Sequence, residues 1–289
     1  MQKCSLFLFS GSGNTRFVAS NFASELSAKY SVSTQEIDKI TRGFETIQDD
    51  FDITGIIYPV HALNAPAIFF SFIKDHLPEG KGRKAFIVKS PGDPFFQGGS
   101  SYQVRKALTE KGYSVVHESM IVMPANVFLR FPDHFITEIC LNAKEKIASA
   151  AREIIEGKER RHRNSLLVNI STAVFSAMEH AGSFFFGKDL KISDRCTNCG
   201  KCIIECPVRN IEEGKKEKPV IGWKCMICMR CIYGCPADAI SPRTLKFFKV
   251  EWYDLKKLSD TDRSTFTKTE NVRPFYKRYR EYLDNKEAF

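Results

Sequence analysis

The chain contains 289 residues, of which 43% are hydrophobic and 27% are charged. A chain of this length and composition buries at least one full apolar core, which excludes an intrinsically disordered protein, and the length suggests two domains. The formal net charge is +9, but no helix-turn-helix, zinc-finger or aromatic-basic motif accompanies it, so nucleic acid binding is not predicted.

The excess of positive charge lies mainly in residues 243–289, which hold 12 basic and 8 acidic residues. The densest basic run is 158–163. We interpret such runs as solvated surface, and the alternative interpretation is docking to an acidic protein partner.

The N-terminal residues 1–9 contain one lysine and a short apolar run without a small-residue cleavage pattern, so no secretory signal is predicted. The longest uncharged candidate for a membrane span, 164–178, is interrupted by polar side chains and is shorter than the roughly 20 residues that a span needs. A soluble protein without stable membrane insertion is therefore expected. Clustered thiols favour a reducing compartment, and the predicted location is the cytoplasm.

In chain order, residues 1–157 alternate short apolar runs with helical patterns, which indicates a parallel sheet with helices on both faces. The predicted strands are 4–9, 31–37, 53–59, 84–89 and 114–123. The helices that connect and follow them are predicted over 14–29, 65–76, 100–111 and 133–157. Cys4 in the first strand and Cys140 in the last helix are interpreted as inert core thiols.

Residues 158–191 have apolar side chains at helical spacing and end near three consecutive phenylalanines at 184–186. A connecting helix is predicted, with the phenylalanines in core or inter-domain packing, and an interfacial membrane helix is the alternative. After residue 242, helical patterns return at 255–258 and 275–283 without an interpretable motif.

Eight of the ten cysteines lie between positions 196 and 235. Residues 196–207 fit the pattern C-x2-C-x2-C-x3-C-P, and residues 225–236 repeat it with a constant offset of 29. This internal duplication has the spacing of bacterial ferredoxins that hold two 4Fe-4S clusters. In that pattern three closely spaced thiolates bind one cluster, and the fourth, beyond a turn, binds the other.

The crossover assigns to each cluster three cysteines of one run and one of the other. The first ligand set is Cys196, Cys199, Cys202 and Cys235, and the second ligand set is Cys225, Cys228, Cys231 and Cys206. Two tetrahedral zinc sites are the alternative. Structural zinc ligands usually come as two separated pairs, so the clusters are favoured.

A glycine-rich loop follows the first predicted strand and opens the first helix. Its residues are Ser10, Gly11, Ser12, Gly13, Asn14 and Thr15. Backbone N–H groups at a helix N-terminus attract an anion and hydroxyl groups add donors, so the loop predicts a site for a phosphate monoester. The Walker spacing is absent, and Arg16 stands where a dinucleotide fingerprint needs a third small residue. A tight strand-to-helix turn without a ligand is the alternative.

Because this loop follows the first of five strands, residues 1–157 resemble flavodoxin, and the cysteine array follows in the same chain. The whole resembles the flavodoxin-ferredoxin fusion proteins of anaerobes over roughly residues 1–242. The resemblance implies an α/β flavodoxin-like doubly wound parallel sheet of strand order 2-1-3-4-5, a small α+β two-cluster ferredoxin domain and a helical C-terminal tail. The implied boundaries are 1–157, a connecting helical segment 158–191, 192–242 and the tail 243–289.

The resemblance also implies FMN, with its phosphate at residues 10–15 and its ring between the loops after strands three and four. The candidate ring contacts are Tyr58, Pro59, Val60, His61, Asn64, Ser90, Pro91 and Gly92. Many flavodoxins sandwich the ring between aromatic side chains, and neither loop offers tryptophan. The remaining candidates for that role are Tyr58, His61, Phe95 and Phe96. His61 is expected to be a polar contact rather than a proton donor, and Asn126 is a further candidate after strand five.

The first functional hypothesis is an electron-transfer protein that passes single electrons between two 4Fe-4S clusters and FMN, and on to a redox protein partner. An acidic ferredoxin, flavodoxin or reductase would suit the basic surface. The alternative is an FMN-dependent reductase that reduces a small acceptor at an exposed flavin, with the loop 91–99 shaping the pocket. A redox sensor is a third hypothesis, which no residue specifically supports. Whether the protein is an enzyme, and its oligomeric state, do not follow from these patterns.

Overall fold

The computed structural model describes residues 1–94, 98–162, 166–214, 218–260 and 274–285. Its largest unit is a parallel sheet of five strands in the order β2-β1-β3-β4-β5. The strands are β1 (Gln2–Leu8), β2 (Tyr30–Glu36), β3 (Ile53–Pro59), β4 (Lys84–Ser90) and β5 (Ser114–Met120). The predicted flavodoxin-like, doubly wound sheet is thereby confirmed.

Helices cover both faces of the sheet. On one face lie α1 (Asn14–Leu26) and α5 (Asp133–Glu156), and on the other α2 (Ile37–Thr41), α3 (Ala67–Asp75) and α4 (Tyr102–Glu110). The central strand β3 is buried at six of its seven positions. Two covered faces favour a mainly apolar strand, which is why its sequence lacks the alternation of a half-exposed strand.

The predicted elements match the observed ones to within a few residues, with two exceptions. The strand predicted over 114–123 is too long, because the pairing of β5 with β4 ends at Met120. The next residues continue as extended loop, in which the N–H of Met123 donates to the carbonyl of Pro91 at 2.9 Å. Helix α2 was not predicted, since its five residues are too few to establish a helical period.

Helix α6 (Leu166–Asp189) joins the sheet unit to a small cysteine-rich region. This region contains the antiparallel pairs β6 (Leu190–Ile192) with β9 (Ile240–Pro242) and β7 (Ile211–Glu212) with β8 (Val220–Ile221), together with the short helices α7 (Lys201–Glu205) and α8 (Arg230–Tyr233). Its small core includes Phe186 from the last turn of α6, Ile211 and Ile232. The end of the connecting helix is therefore part of the cysteine-rich region.

The predicted packing of the phenylalanines at the end of α6 holds for Phe186, which is 2% exposed, whereas Phe185 is 68% exposed. Leu167, Phe175 and Met178 on the same helix are also exposed. Within the part of the chain that the structure describes, no helix has the length and apolar character needed to cross a membrane.

The C-terminal tail completes the core of the sheet unit. Its helices are α9 (Leu255–Ser259) and α10 (Pro274–Asp284). Tyr253, Tyr279 and Tyr282 are buried in the same apolar cluster as the inner faces of α1 and α5. The segment for which the sequence offered no motif thus covers one face of the flavodoxin-like unit.

Candidate cofactor sites

A cavity with an empty volume of about 1930 Å³ lies at the carboxyl edge of the sheet, and we call it the large cavity. The loops after β1, β3, β4 and β5 line it, as expected for ligand sites in doubly wound sheets. Residues of α6, the cysteine-rich region and the tail also line it. The predicted site residues among its lining are Ser10, Gly11, Ser12, Asn14, Thr15, Pro59, Val60, His61, Ser90 and Gly92.

The loop between β1 and α1 has the backbone geometry of an anion site. Gly13 has a φ of 108°, in the left-handed region that favours glycine, and its N–H donates to Ser10 Oγ at 3.1 Å. Asn126, which also lines the cavity, donates its side-chain N–H to Ser12 Oγ. The N-terminus of α1 therefore opens on a hydroxyl-lined pocket, where the helix dipole favours a negative charge.

Asn14 contributes to packing as well as to the cavity wall. Its Nδ2 donates to the carbonyl of Pro124 at 2.7 Å and to Tyr253 Oη at 3.1 Å. Tyr253 Oη in turn donates to the same carbonyl at 2.9 Å. The side-chain amide of Asn14 thus connects Tyr253 of the tail with the loop after β5. Only the backbone N–H of Asn14 is left to bind a phosphate.

Ser90, at the end of β4, provides a test of whether a flavin ring fits the large cavity. Its Oγ is buried and has no hydrogen-bond partner among the described residues. An unsatisfied buried hydroxyl costs about 1–3 kcal/mol. The polar edge of an isoalloxazine ring would supply the missing partner, while Pro59, Val60 and Gly92 add apolar and backbone surface. The residues present therefore fit the group.

Three of the predicted ring contacts lie elsewhere. Tyr58 is fully buried in the core, where its Oη donates to the carbonyl of Ser100 at 2.7 Å and its ring centroid lies 5.4 Å from that of Phe69. Its side chain points to the α3 face of the sheet, which corrects the expectation of a ring contact. Pro91 is buried without lining the cavity, and Asn64 lines a neighbouring cavity. The candidates Phe95 and Phe96 lie outside the described residues.

The aromatic side chains that do line the cavity were not predicted. They are Phe128, Phe186, Phe248 and Tyr279. The ring centroid of Phe248 lies 4.5 Å from that of Phe128 and 4.9 Å from that of Phe186. Tyr279 Oη donates to the carbonyl of Gly92. Only Phe186 belongs to a cluster that the sequence singled out, and no spacing pattern connected any of the four with the loops of the sheet.

Two smaller cavities divide the clustered cysteines into two groups of four. Cys196, Cys199, Cys202 and Cys235 line a cavity of about 360 Å³ empty volume, and Cys206, Cys225, Cys228 and Cys231 line one of about 420 Å³. This division matches the two predicted ligand sets. All ten cysteines are free thiols. Among the described residues, no three Cys, His, Asp or Glu side chains converge on a point suited to a single metal ion.

The surroundings of the thiols suit iron–sulfur clusters. Backbone N–H groups of Asn210 and Ala239 donate to Cys206 Sγ at 3.1 Å and to Cys235 Sγ at 3.3 Å. Such bonds stabilise negative charge on cluster ligands. Burial raises the pKa of Cys225 to about 11 and that of Cys228 to about 12. Because burial disfavours a free thiolate, thiolates at these positions require the positive charge that iron would supply.

The second ligand set lies directly beside the glycine-rich loop, residues 10–15. Ile227, Cys228 and Met229 line both the cavity of this set and the large cavity. Gly11 is in close contact with the backbone of Cys228, since a Cβ atom at Gly11 would overlap the Cys228 carbonyl oxygen. The first ligand set does not line the large cavity, and its Cys199 is exposed.

A buried ion pair holds the two units together. Arg230 of α8 donates from Nη1 to Asp38 Oδ2 at 2.6 Å and from Nη2 to Asp38 Oδ1 at 3.2 Å. The same guanidinium donates to the carbonyl of Ser10 at 2.7 Å, at the start of the glycine-rich loop. The side chains of Arg230 and Asp38 are only 11% and 2% exposed. This bidentate contact therefore fixes the cysteine-rich region against α2 and the loop after β1.

A side cavity with an empty volume of about 840 Å³ lies next to the large cavity and shares His61 and Glu179 with it. His61 Nδ1 lies 3.9 Å from Glu179 Oε1. Burial lowers the pKa of His61 to about 4 and raises the pKa of Glu179 to about 7. At neutral pH His61 is thus an uncharged polar group, and Glu179 exchanges its proton close to that pH.

Comparison with known families identifies the cysteine-rich region. Residues 188–236 match the family model of the 4Fe-4S dicluster domain. No curated protein matches the chain.

Solved structures are similar to the sheet unit. Oxidised flavodoxin 1 from Bacillus cereus is 18% identical, with 54% of this chain and 98% of that chain covered and a TM-score of 0.39. The flavodoxin from Megasphaera elsdenii is 19% identical, with 52% and 98% covered and a TM-score of 0.35. An NAD(P)H:quinone oxidoreductase from Methanothermobacter marburgensis is 15% identical, with 57% and 100% covered and a TM-score of 0.39.

The chain therefore joins a flavodoxin-like sheet to a 4Fe-4S dicluster domain, which is the arrangement of a flavodoxin-ferredoxin fusion. The dicluster match indicates an iron–sulfur protein, and the sheet has the strand order of flavodoxin. The predicted resemblance is confirmed at this level.

Proposed function

We propose that the protein is an electron-transfer protein that passes single electrons between two 4Fe-4S clusters and FMN, and on to a redox protein partner. On this proposal residues 1–157 bind FMN, 158–191 connect, 192–242 hold the clusters and 243–289 form the tail. The clusters supply one-electron steps when bound, and FMN links them to two-electron chemistry.

The observation that carries the proposal is the shared wall formed by residues 227–229. Electron tunnelling rates fall steeply with distance, so two redox groups must approach closely to exchange electrons. A cluster held by the second ligand set and a ring in the large cavity would be separated by little more than the Cys228 segment. The first ligand set, with exposed Cys199, is suited to exchange with an external partner.

The chain's own residues bind and orient the groups. Backbone N–H groups at the start of α1, with the hydroxyls of Ser10, Ser12 and Thr15, would hold the phosphate. Ser90 would donate to or accept from the ring edge, and Phe128 and Phe248 would exclude water from its surroundings. Arg230 keeps the cysteine-rich region docked while electrons pass.

Anaerobic purification followed by cofactor analysis tests the proposal. We expect about eight iron atoms, eight acid-labile sulfides and one FMN per chain, as two cubane clusters and one flavin require. In a rapid-mixing experiment, clusters reduced first should pass electrons to the flavin at a rate independent of protein concentration. A fully reconstituted preparation that holds zinc and no flavin would refute the proposal.

The second candidate function is an FMN-dependent reductase that acts on a small acceptor. The observation that favours it is the side cavity, which adjoins the large cavity at His61 and has room for a small molecule. Steady turnover of small acceptors by the reduced protein, blocked by a bulky substitution such as Ala173→Trp in the side cavity, would support it. Electron exchange with carrier proteins alone favours the first candidate.

The partner and the location belong to the same proposal. The net charge of +9 suits an acidic ferredoxin, flavodoxin or reductase, whose association would weaken as salt is added. A protein that depends on eight reduced thiols for its cofactors would work in the cytoplasm.

A further inference from the structure

Electrons that arrive from iron–sulfur clusters come without protons, whereas the two-electron reduction of an isoalloxazine ring takes up at least one. The large cavity must therefore receive a proton by another route. Among the described residues that line it, the ionisable side chains are His61, Asp93, Glu179, Cys228 and Tyr279. Cys228 is assigned to a cluster, and the Tyr279 hydroxyl donates to the carbonyl of Gly92.

We propose that Glu179 is the proton-transfer residue of the flavin site and carries protons from the side cavity to the ring in the large cavity. This inference rests on the proposed function. It assigns a role to a residue of the connecting helix, outside the sheet unit and the dicluster domain.

The position of Glu179 is the first support. Among the described residues, Glu179 and His61 are the two that line both cavities. Helix α6 contains two acidic residues, Glu179 and Asp189, and Asp189 is its last residue. Most other side chains of the helix are apolar or small. Its side chain is 26% exposed, although an unconstrained glutamate on a surface helix would extend into water. The chain thus places a single acid where the two cavities meet.

The lining of the side cavity is the second support. Asn64 donates from Nδ2 to Gln103 Oε1 at 2.9 Å and to Ser176 Oγ at 3.3 Å. Ser183 adds a further hydroxyl to the wall. Together with His61 and Glu179, these polar groups can hold hydrogen-bonded water, which conducts protons from solvent.

The protonation state is consistent with the role. Burial raises the pKa of Glu179 to about 7, so both its forms are populated near neutral pH, as an efficient proton donor requires. The groups that face the site from the surrounding elements are His61 after β3, Asp93 after β4, Cys228 in the cysteine-rich region and Tyr279 in α10. His61 has a pKa of about 4 and is uncharged at neutral pH, so it adds no charge beside Glu179, whose Oε1 lies 3.9 Å from His61 Nδ1.

Two electrons from the reduced 4Fe-4S clusters and one proton from the Glu179 carboxyl convert the oxidised ring to its reduced, anionic form. The O–H bond of Glu179 breaks as a ring N–H bond forms. The resulting carboxylate then takes a proton from water in the side cavity, which solvent replaces. In the opposite direction of electron flow, the same groups return the proton to solvent.

The test compares the wild-type protein with Glu179→Gln and Glu179→Asp in the fully loaded state. Flavin reduction by pre-reduced clusters is followed by stopped flow over a pH series, in H2O and D2O. The wild-type rate should fall about tenfold per pH unit above the pKa of Glu179 and should be slower in D2O. Glu179→Gln should be slower by about 100-fold at neutral pH, and Glu179→Asp should recover part of the rate.

A readout without electron transfer accompanies these rates. In flavin-free protein, the infrared band of a protonated carboxyl should titrate with a midpoint near pH 7 and should be missing from Glu179→Gln. Glu110→Gln, an exposed position outside both cavities, is the matched control and should behave as wild type in both measurements. Asp93→Asn tests whether Asp93, the other carboxylate that lines the large cavity, supplies the proton instead.

The outcomes separate this inference from the proposed function. A wild-type rate that is independent of pH and solvent isotope, or a loss of rate in Asp93→Asn but not in Glu179→Gln, would overturn the role of Glu179 while leaving cluster-to-flavin transfer in place. If Glu179→Gln fails to load FMN, the wild-type pH series and infrared titration still decide the question. A wild-type protein without bound flavin would instead refute the proposed function itself.

Discussion

Replacing Arg230 by methionine removes the buried cation that joins the cysteine-rich region to the sheet unit. The substitution deletes two charge-assisted hydrogen bonds to Asp38 and one to the carbonyl of Ser10, and it leaves a carboxylate that is 2% exposed without its partner. Breaking a buried pair in this way costs about 3–5 kcal/mol. That cost corresponds to a roughly 150- to 5,000-fold increase in the population that has opened at this junction.

Native-state hydrogen exchange on the anaerobic, loaded protein measures this opening. Backbone amides of β1 and α8 in Arg230→Met should exchange faster by that factor, whereas amides in the distant strand β5 should change much less. The double variant Arg230→Met/Asp38→Leu removes the stranded charge together with its partner and should recover at least half of the lost protection. A cost below about 1 kcal/mol for Arg230→Met, or a double variant that is no better than the single one, would refute this account of the junction.

Three further predictions concern the junction and the cavities. Gly11→Ala should weaken FMN binding at least about tenfold, because its methyl group meets the carbonyl of Cys228 and the loop must shift; an unchanged dissociation constant in a fluorescence titration would contradict the observed contact. Cys228→Ala should abolish electron transfer to the flavin, whereas Cys199→Ala should slow electron exchange with an external carrier and leave the cluster of the second ligand set intact. Rapid-mixing kinetics and iron analysis measure both effects, and equal defects in the two variants would contradict the different roles of the two cavities. The pKa of His61 is about 4 in the folded protein and ordinarily 6.5. Between these values the unfolded state binds a proton that the folded state lacks, so stability falls as the pH drops through this window. Between pH 7 and 5 the free energy of unfolding of His61→Asn should fall by about 2 kcal/mol less than that of the wild-type protein. If the melting temperatures of the two proteins depended on pH in the same way, the interpretation of His61 as a buried, neutral histidine would be contradicted.

The sheet unit could be predicted from the sequence because its inner strands β1, β3 and β4 are largely buried on both faces. Strand β3 follows the predicted bounds, 53–59, since a continuous apolar run between turn residues leaves few alternatives. The division of the eight clustered cysteines into two groups of four could be predicted because the repeated C-x2-C-x2-C-x3-C-P pattern fixes their spacing, and the two cavities lined by cysteines divide them in the same way.

Long-range contacts could not be predicted in this way. Arg230 and Asp38 are 192 residues apart, and neither belongs to a motif. Tyr279 of the tail lines the large cavity, and its place in the sequence does not indicate which part of the sheet unit it packs against. Tyr58 was expected at the flavin because of its place at the end of β3, but the alternation of side chains along a strand directs it into the core. Sequence patterns of this kind report local periodicity and spacing, and do not report which surfaces meet.

The segment 227–229 is a partition between the large cavity and the cavity of the second ligand set. Protein interiors are close-packed, so a displacement on one side of such a wall is passed to the other rather than absorbed. A change in the bond lengths around Cys228 would displace the glycine-rich loop, residues 10–15, through the contact with Gly11. A ligand that moved this loop would in turn displace the backbone of Cys228. The two cavities are thus coupled mechanically, in addition to any electron transfer between them.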